Sequence, residues 1–496
     1  MLVSHQIRRE VMLLYIVTTS KETSFSILSE QLDIPKRRIS ADISKLNRIS
    51  DQIFDFDMKL ILTNKAGIVK INPPLQDESI EYYYRLKFAL LNESSLYQLC
   101  IVLVINGQVH KNEIIDRLFI STHYLIKLCQ QLNTYLSTFN LSVKKKNSIY
   151  SIEGDEISYR LFTYLLLQDS FQGINWPFEL NIPSVPHNKR ENDNSLTKNF
   201  SIQLFSQLLS QRFKFEKFLP LPFTDKNYKL FEMIMENFDS SLFLENGTFD
   251  LLESSVEKSE RLYLNFFQRV FLSDLIPMEK KIELGNKFKS FDHDVCSKAN
   301  QTYERFSKIS LALEHSDTSY IYLYYLTIFL ILYQMIGNKY FHFLNLLTPT
   351  PYLNINKKDN YTKTIKSELD DLYEDKDELN YIANLLYTLS YFRKKSKIRI
   401  YIQMTKIFTS IYAIQERLHM IFNPDHLIFT NNYSEADIVI TDSFERKREN
   451  QTLFYLDTIN NKHRWSDLIK TIQQKLIDKL DSEVVASETQ IKEILQ

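Results

Sequence analysis

Glycine is scarce in this sequence, seven in 496 residues, and cysteine is scarcer, with three. No G-x-x-x-x-G-K-[ST] loop and no G-x-G-x-x-G fingerprint occurs, so no backbone cradle for nucleotide phosphates is legible. HExxH is also missing, and neither a cofactor nor a metal is expected. Cys100, Cys129 and Cys296 lie far apart, and two fall on apolar helical faces. That suits reduced core thiols in a cytosolic protein and excludes a disulfide frame or zinc site. A charge imbalance is lacking too: the net charge is −1, so the whole-chain balance says nothing about partners. No signal peptide is visible, because the apolar stretch from Val11 to Val17 follows Arg8-Arg9-Glu10 and keeps a helical period. The one long apolar run, Tyr320 to Ile336, falls short of the roughly 20 residues a membrane span needs and holds tyrosines throughout. It is expected to be a buried helix, and no membrane contact is expected.

What is present is enough to fold. Hydrophobic residues make up 44% and aromatic residues 13%, and the length calls for three or more domains. The stretch that organises the chain is Ser24 to Ile49, SFSILSEQLDIPKRRISADISKLNRI. Phe25, Ile27, Leu28 and Leu32 give one short helix an apolar face. Asp33-Ile34-Pro35 breaks it. A second helix starts near Lys36, with Ile39, Ile43 and Leu46 on one stripe. The opposite face carries Lys36, Arg37, Arg38, Ser40, Ala41, Ser44, Lys45 and Arg48, cations for phosphates and side chains that reach base edges. Residues 1–75 hold eleven Lys or Arg against eight Asp or Glu, so position matters here more than net charge. Phe56 to Ile71 reads as two strands around a turn at Asn64-Lys65-Ala66-Gly67, where Gly67 takes positive φ. Helix, turn, helix and hairpin make a winged helix-turn-helix.

The pattern recurs. Leu32, Ile34, Ile39, Ile43 and Leu46 have counterparts in Leu118, Ile120, Leu125, Cys129 and Leu132, at a constant offset of 86 residues. Ser121 or Thr122 is the expected N-cap of the second recognition helix. Its outer face carries Thr122, His123, Lys127, Gln130, Gln131 and Thr134. A hairpin from Leu141 to Ile152 follows, with Lys144, Lys145 and Lys146 at its tip. Two such units imply binding to double-stranded DNA.

The expected architecture is multidomain and mainly α. Residues 1–75 form the first winged unit, and 76–154 a linking helix and the second. Two all-α blocks cover 155–275 and 276–396, and a small parallel α/β domain covers 397–496. Helices are expected over Ile157 to Phe171, Leu196 to Leu209, Asn227 to Glu236 and Glu257 to Leu272 in the first block. In the second they cover Glu279 to Phe288, Val295 to Ala312, Tyr320 to Ile336 and Asp377 to Tyr391.

Tandem winged units, two helical blocks and an α/β tail, in this order and at this length, resemble the Mga/AtxA family. These are virulence and metabolic regulators of Gram-positive bacteria that carry phosphotransferase-system regulation domains (PRDs). The resemblance spans essentially the whole chain and is most specific in FSILSEQLDIPKRRISADISKLN and KNEIIDRLFISTHYLIKLCQQLN. It implies that both N-terminal units contact DNA and that the helical blocks are PRD-like domains. Histidines of such domains accept phosphate from phosphotransferase-system phosphocarrier proteins. It also implies an EIIB-like tail that supports self-association as a homodimer or higher oligomer. Candidate phosphoacceptors are His293 and His315, beside acidic residues that orient an imidazole, and His187, in a loop. His342 lies on an aromatic-rich face and is expected in a core. An EIIB domain of this type uses a cysteine just after its first strand. Here that strand runs into Gln403-Met404-Thr405-Lys406 and no cysteine follows Cys296, so the fold is expected without the transfer. The resulting expectation is a cytoplasmic transcription regulator, an activator and not an enzyme. The alternatives are a phosphotransferase component, or a protein-interaction module that uses winged helices as docking surfaces.

Overall fold

A computed structural model describes residues 2–20, 22–54, 58–178, 196–213, 225–240, 249–250, 252–309, 316–343, 346–347, 360–391, 397–404, 410–443, 451–456 and 462–494. The chain is multidomain and mostly helical, with a small sheet near its C-terminus. It divides into two compact units, Met1–Lys287 with Thr327–Leu353, and Phe288–Leu326 with Asn354–Gln496. Compactness thus apportions the expected block 276–396 between both units.

The first unit opens with α1 (His5–Thr19), β1 (Thr23–Ser24), α2 (Phe25–Leu32), α3 (Lys36–Phe54), β2 (Ile61–Thr63) and β3 (Ile68–Ile71). Ser24 Oγ accepts the amide of Ile27 at 3.3 Å, which caps α2. Pro35 stops α2 from continuing, and its carbonyl accepts the Arg38 amide of α3 at 2.8 Å. Ile39, Ile43 and Leu46 are buried, as their spacing requires. The strands form an antiparallel sheet in the order β1-β3-β2. Gly67 turns the hairpin with φ +79°, and a β-carbon there would touch the Phe25 ring at 3.4 Å.

After α4 (Ser79–Asn92) the same series repeats as α5 (Ser95–Asn106), β4 (Gln108–His110), α6 (Lys111–Leu118), α7 (Thr122–Leu136), β5 (Leu141–Lys146) and β6 (Ile149–Gly154). The sheet order β4-β6-β5 repeats that of the first copy. Asn147 and Ser148 turn this hairpin with φ of 47° and 65°, the left-handed pair that a two-residue hairpin loop favours. Lys144, Lys145 and Lys146 are therefore the end of β5, just before the tip.

A helical region continues this unit with α8 (Glu156–Phe171), α9 (Leu196–Phe213), α10 (Asp225–Asn237), α11 (Ser254–Phe271) and most of α12 (Met278–Ser290). Helices α8, α9 and α11 are tied by ionised groups with little exposure. Arg160 meets Glu156 at 2.8 Å and also Glu260, and Arg212 closes on Glu156. The Arg212 guanidinium lies 4.5 Å over the Tyr159 ring. Beside these groups is a cavity of about 30 Å³, room for one water.

Further helices are α13 (Asp294–Ile309), α14 (Ser316–Ile336), α15 (Lys339–Phe343), α16 (Asn360–Leu369) and α17 (Lys376–Tyr391). Helix α14 is long and apolar enough to cross a membrane, yet most of that stretch is buried within the protein. His342 departs from expectation. It is exposed, while Tyr340 and Phe343 on the same short helix are buried. Helix α16 has no counterpart among the expected elements, because Tyr361, Ile365 and Leu369 are its buried apolar residues and polar ones, the buried Thr362 included, make up the rest of its described side chains.

The second unit ends in β7 (Ile398–Gln403), α18 (Ser410–His419), β8 (Leu427–Phe429), β9 (Ile438–Thr441), β10 (Thr452–Tyr455) and α19 (Lys462–Ile494). The four strands are all parallel, in the order β10-β9-β7-β8. Their core joins Ile398, Ile400, Ile438 and Ile440 to Ile414 of α18 and Trp465 of α19. The α/β reading of this region holds, and β9 is buried at every residue, as a central parallel strand must be.

Candidate nucleic-acid interface

The two helix pairs match down to backbone and side-chain detail. Helix α2 ends on Asp33 at φ 51°, ψ 50°, and α6 ends on Phe119 at φ 51°, ψ 46°. The next amide folds back in both: Ile34 N donates to Ser29 O at 3.2 Å, and Ile120 N donates to Ile115 O at 3.1 Å. A helix asparagine then clamps each hairpin. The Asn47 amide nitrogen donates to Ile61 O at 2.9 Å and its oxygen accepts Ile61 N at 2.8 Å. Asn133 does the same to Val143, at 3.5 and 2.6 Å. Asn47 and Asn133 stand at the same offset as the apolar repeat. The sequence reading missed both, and the offset alone was the signal that finds them.

The outer face of α3 is largely as expected. Lys36, Arg37, Arg38, Ser40, Ser44 and Arg48 are exposed. Arg37 and Arg48 have no acidic partner among the described residues. Arg38 is tied to Asp42 at 3.3 Å, a carboxylate that Arg9 of α1 also holds at 2.9 Å. Ser44 Oγ donates back to Ser40 O at 2.9 Å. Lys45 differs from its expected place. Its ammonium bridges Glu10 and Glu93, each at 2.7 Å, so it joins α3 to α1 and α4 instead of standing free on the basic face. The reason is Glu10, a carboxylate fully buried on α1 that needs a cation.

On α7, Thr122, His123, Lys127, Gln130, Gln131 and Thr134 are all exposed. Ser121, not Thr122, is the cap, accepting the Tyr124 amide at 3.2 Å. Thr134 Oγ1 donates to Gln130 O at 3.1 Å. Lys144, Lys145 and Lys146 are exposed on the hairpin, with Lys145 Nζ 6.0 Å from the Tyr150 ring centre. The first copy thus holds its cations on the helix, and the second holds more of them on the hairpin. The cysteines fit a reduced interior: Cys100 and Cys296 are buried, and burial pushes the half-buried Cys129 thiol up to about 11.

The histidines are less favourable to their expected role. His293 is only 6% exposed. Its Nδ1 accepts the Val295 amide at 3.2 Å, so the imidazole caps α13. It lies beside a polar surface hollow that also holds Asp292, Asp294 and Glu304. His187 and His315 lie outside the described residues.

Against known families, residues 83–167 match the model described as the Mga helix-turn-helix domain. That span runs from within α4 to within α8 and encloses the whole second copy, while the first copy lies outside it. No curated protein matches the chain. A domain of this kind suggests a DNA-binding regulator. Residues 83–167 are thus similar to the Mga helix-turn-helix domain, and this match is consistent with an Mga-family regulator.

Proposed function

We propose that the protein is a cytoplasmic, DNA-binding transcription regulator, an activator and not an enzyme, that grips duplex DNA with two winged helix-turn-helix units. One observation carries the reading. The same helix-strand-helix-helix-strand-strand series occurs twice with the same turn backbone and the same asparagine clamp, and both copies expose a polar or cationic face on the second helix. In winged units the second helix enters the major groove and the hairpin follows the backbone. Arg37, Arg48 and the hairpin lysines supply phosphate contacts, and Gln130 and Gln131 have the groups to read bases.

In this reading the helical blocks are PRD-like and the C-terminal sheet is an EIIB-like domain that self-associates without carrying phosphate. The parallel sheet and the missing cysteine after β7 support the tail's assignment. Exposed Tyr412 on α18 and Met420 just past it offer apolar surface for a second copy. A phosphotransferase-system phosphocarrier reaches His293 only if the start of α13 opens, because the ring is buried and hydrogen-bonded there.

The test is fluorescence anisotropy of the full chain on a duplex of about three helical turns across a salt series. Arg37→Ala with Arg48→Ala is the informative variant, because Arg38 and Lys45 also hold the fold together. The wild type is expected to bind with steep salt dependence, and the double variant to lose about two units of the log–log slope. Undiminished binding by a folded variant rules out that face. Salt-insensitive binding, or none, turns the reading towards winged helices that dock protein.

A further inference from the structure

Phe119 is the most exposed large apolar residue described, at 95%, and it holds φ +51°. A bulky side chain in the left-handed region is sterically unfavourable. An exposed phenyl ring recovers nothing by burial. The turn needs this backbone in both copies, but it does not need this ring. The first copy fills the place with Asp33, a residue type that tolerates left-handed geometry.

The ring stands immediately before the start of α7, where Thr122, His123 and Tyr124 are exposed. In a helix-turn-helix the N-terminal residues of the second helix meet base edges in the major groove. The apolar group that groove offers is the C5-methyl of thymine, which phenylalanine is suited to touch. Helix α7 has one exposed Lys and no Arg with which to grip guanine, so apolar readout fits the rest of its face.

We propose that Phe119 is a specificity-determining residue that packs on thymine methyl groups and gives the second copy a preference for A·T pairs. The inference rests on the DNA-binding reading above.

The experiment uses the full chain and two duplexes of about three turns. One is built only of mixed A·T pairs, and the other has uracil in place of every thymine. Every base pair of the first shows a methyl in the major groove, so no target site need be known. The wild type is expected to bind the uracil duplex about fourfold more weakly for each methyl it covers. Phe119→Gly should bind the thymine duplex more weakly and lose the share of the preference that the ring supplies, so that the exchange weakens it about fourfold less for each methyl the ring covers. Phe119→Tyr keeps a ring and should keep the preference. Glycine suits the left-handed turn, so Phe119→Gly should unfold no earlier than the wild type on heating, which separates lost contact from lost fold. If Phe119→Gly keeps the wild type's preference for thymine undiminished, or full affinity, the inference is wrong and the ring faces something other than DNA, such as a protein partner. A folded wild type that binds neither duplex at low salt removes the DNA reading itself, and this inference with it.

Discussion

Lys45 shows how one residue can be right in type and different in role. A lysine on the basic side of α3 reads as a phosphate contact. The fold gives it to Glu10 and Glu93 instead. Burial pushes its pKa down, but the hydrogen bonds to the two carboxylates outweigh burial and raise it above the ordinary lysine value. A raised value means that its stabilisation is complete at neutral pH and is lost as pH climbs past the ordinary value through the folded one. Lys45→Ala strands Glu10 and should destabilise the first copy by about 3 kcal/mol. Thermal unfolding is the check, and the gap between variant and wild type should narrow at strongly alkaline pH. His293 yields a second test. His293→Ala removes the cap of α13 and should cost about 1 kcal/mol, whereas His293→Asn, itself a good cap, should cost less. Phosphopeptide mapping of the native chain with a phosphorylated carrier is expected to label His293 poorly. Strong labelling there would show that the start of α13 opens.

At the scale of elements, the helix pair was plain in the sequence because its period and its breakers are local. Ile39, Ile43 and Leu46 fix which face is buried, and Pro35 fixes where one helix gives way to the next. Gly67 marked its hairpin for the same reason. The second hairpin was placed correctly, but its tip lies at Asn147-Ser148, beyond the lysines. Those lysines remain exposed at the end of β5, and they define a prediction at this scale. Converting Lys144, Lys145 and Lys146 together to Ala should lower affinity on any duplex sequence and reduce the salt slope by about three at most. An unchanged slope would mean that this hairpin points away from the nucleic acid. The asparagine clamps were invisible to periodicity, since Asn47 and Asn133 look like ordinary polar helix residues until their strand partners are known. Helix α16 was missed because three apolar anchors in ten residues are too few to stand out.

Across the molecule, the ions shared by α8, α9 and α11 join segments far apart in sequence. Glu260 is fully buried and its partner Arg160 nearly so. Removing one partner of such a pair leaves a charge without compensation. Glu260→Ala should therefore cost about 3 kcal/mol, read as an earlier unfolding transition, with affinity of the folded protein for DNA unchanged. The sequence by itself determined most of the longer elements, the two copies with their fixed offset, their buried faces and the parallel C-terminal sheet. All of these follow from short-range spacing of apolar residues and from turn chemistry. Only the tertiary structure decided that Lys45 faces inward, that His293 caps a helix, that His342 is exposed and that Phe119 is bare. Each of those depends on which distant carboxylate, amide or apolar surface arrives beside the residue, and spacing along the chain carries no information about that.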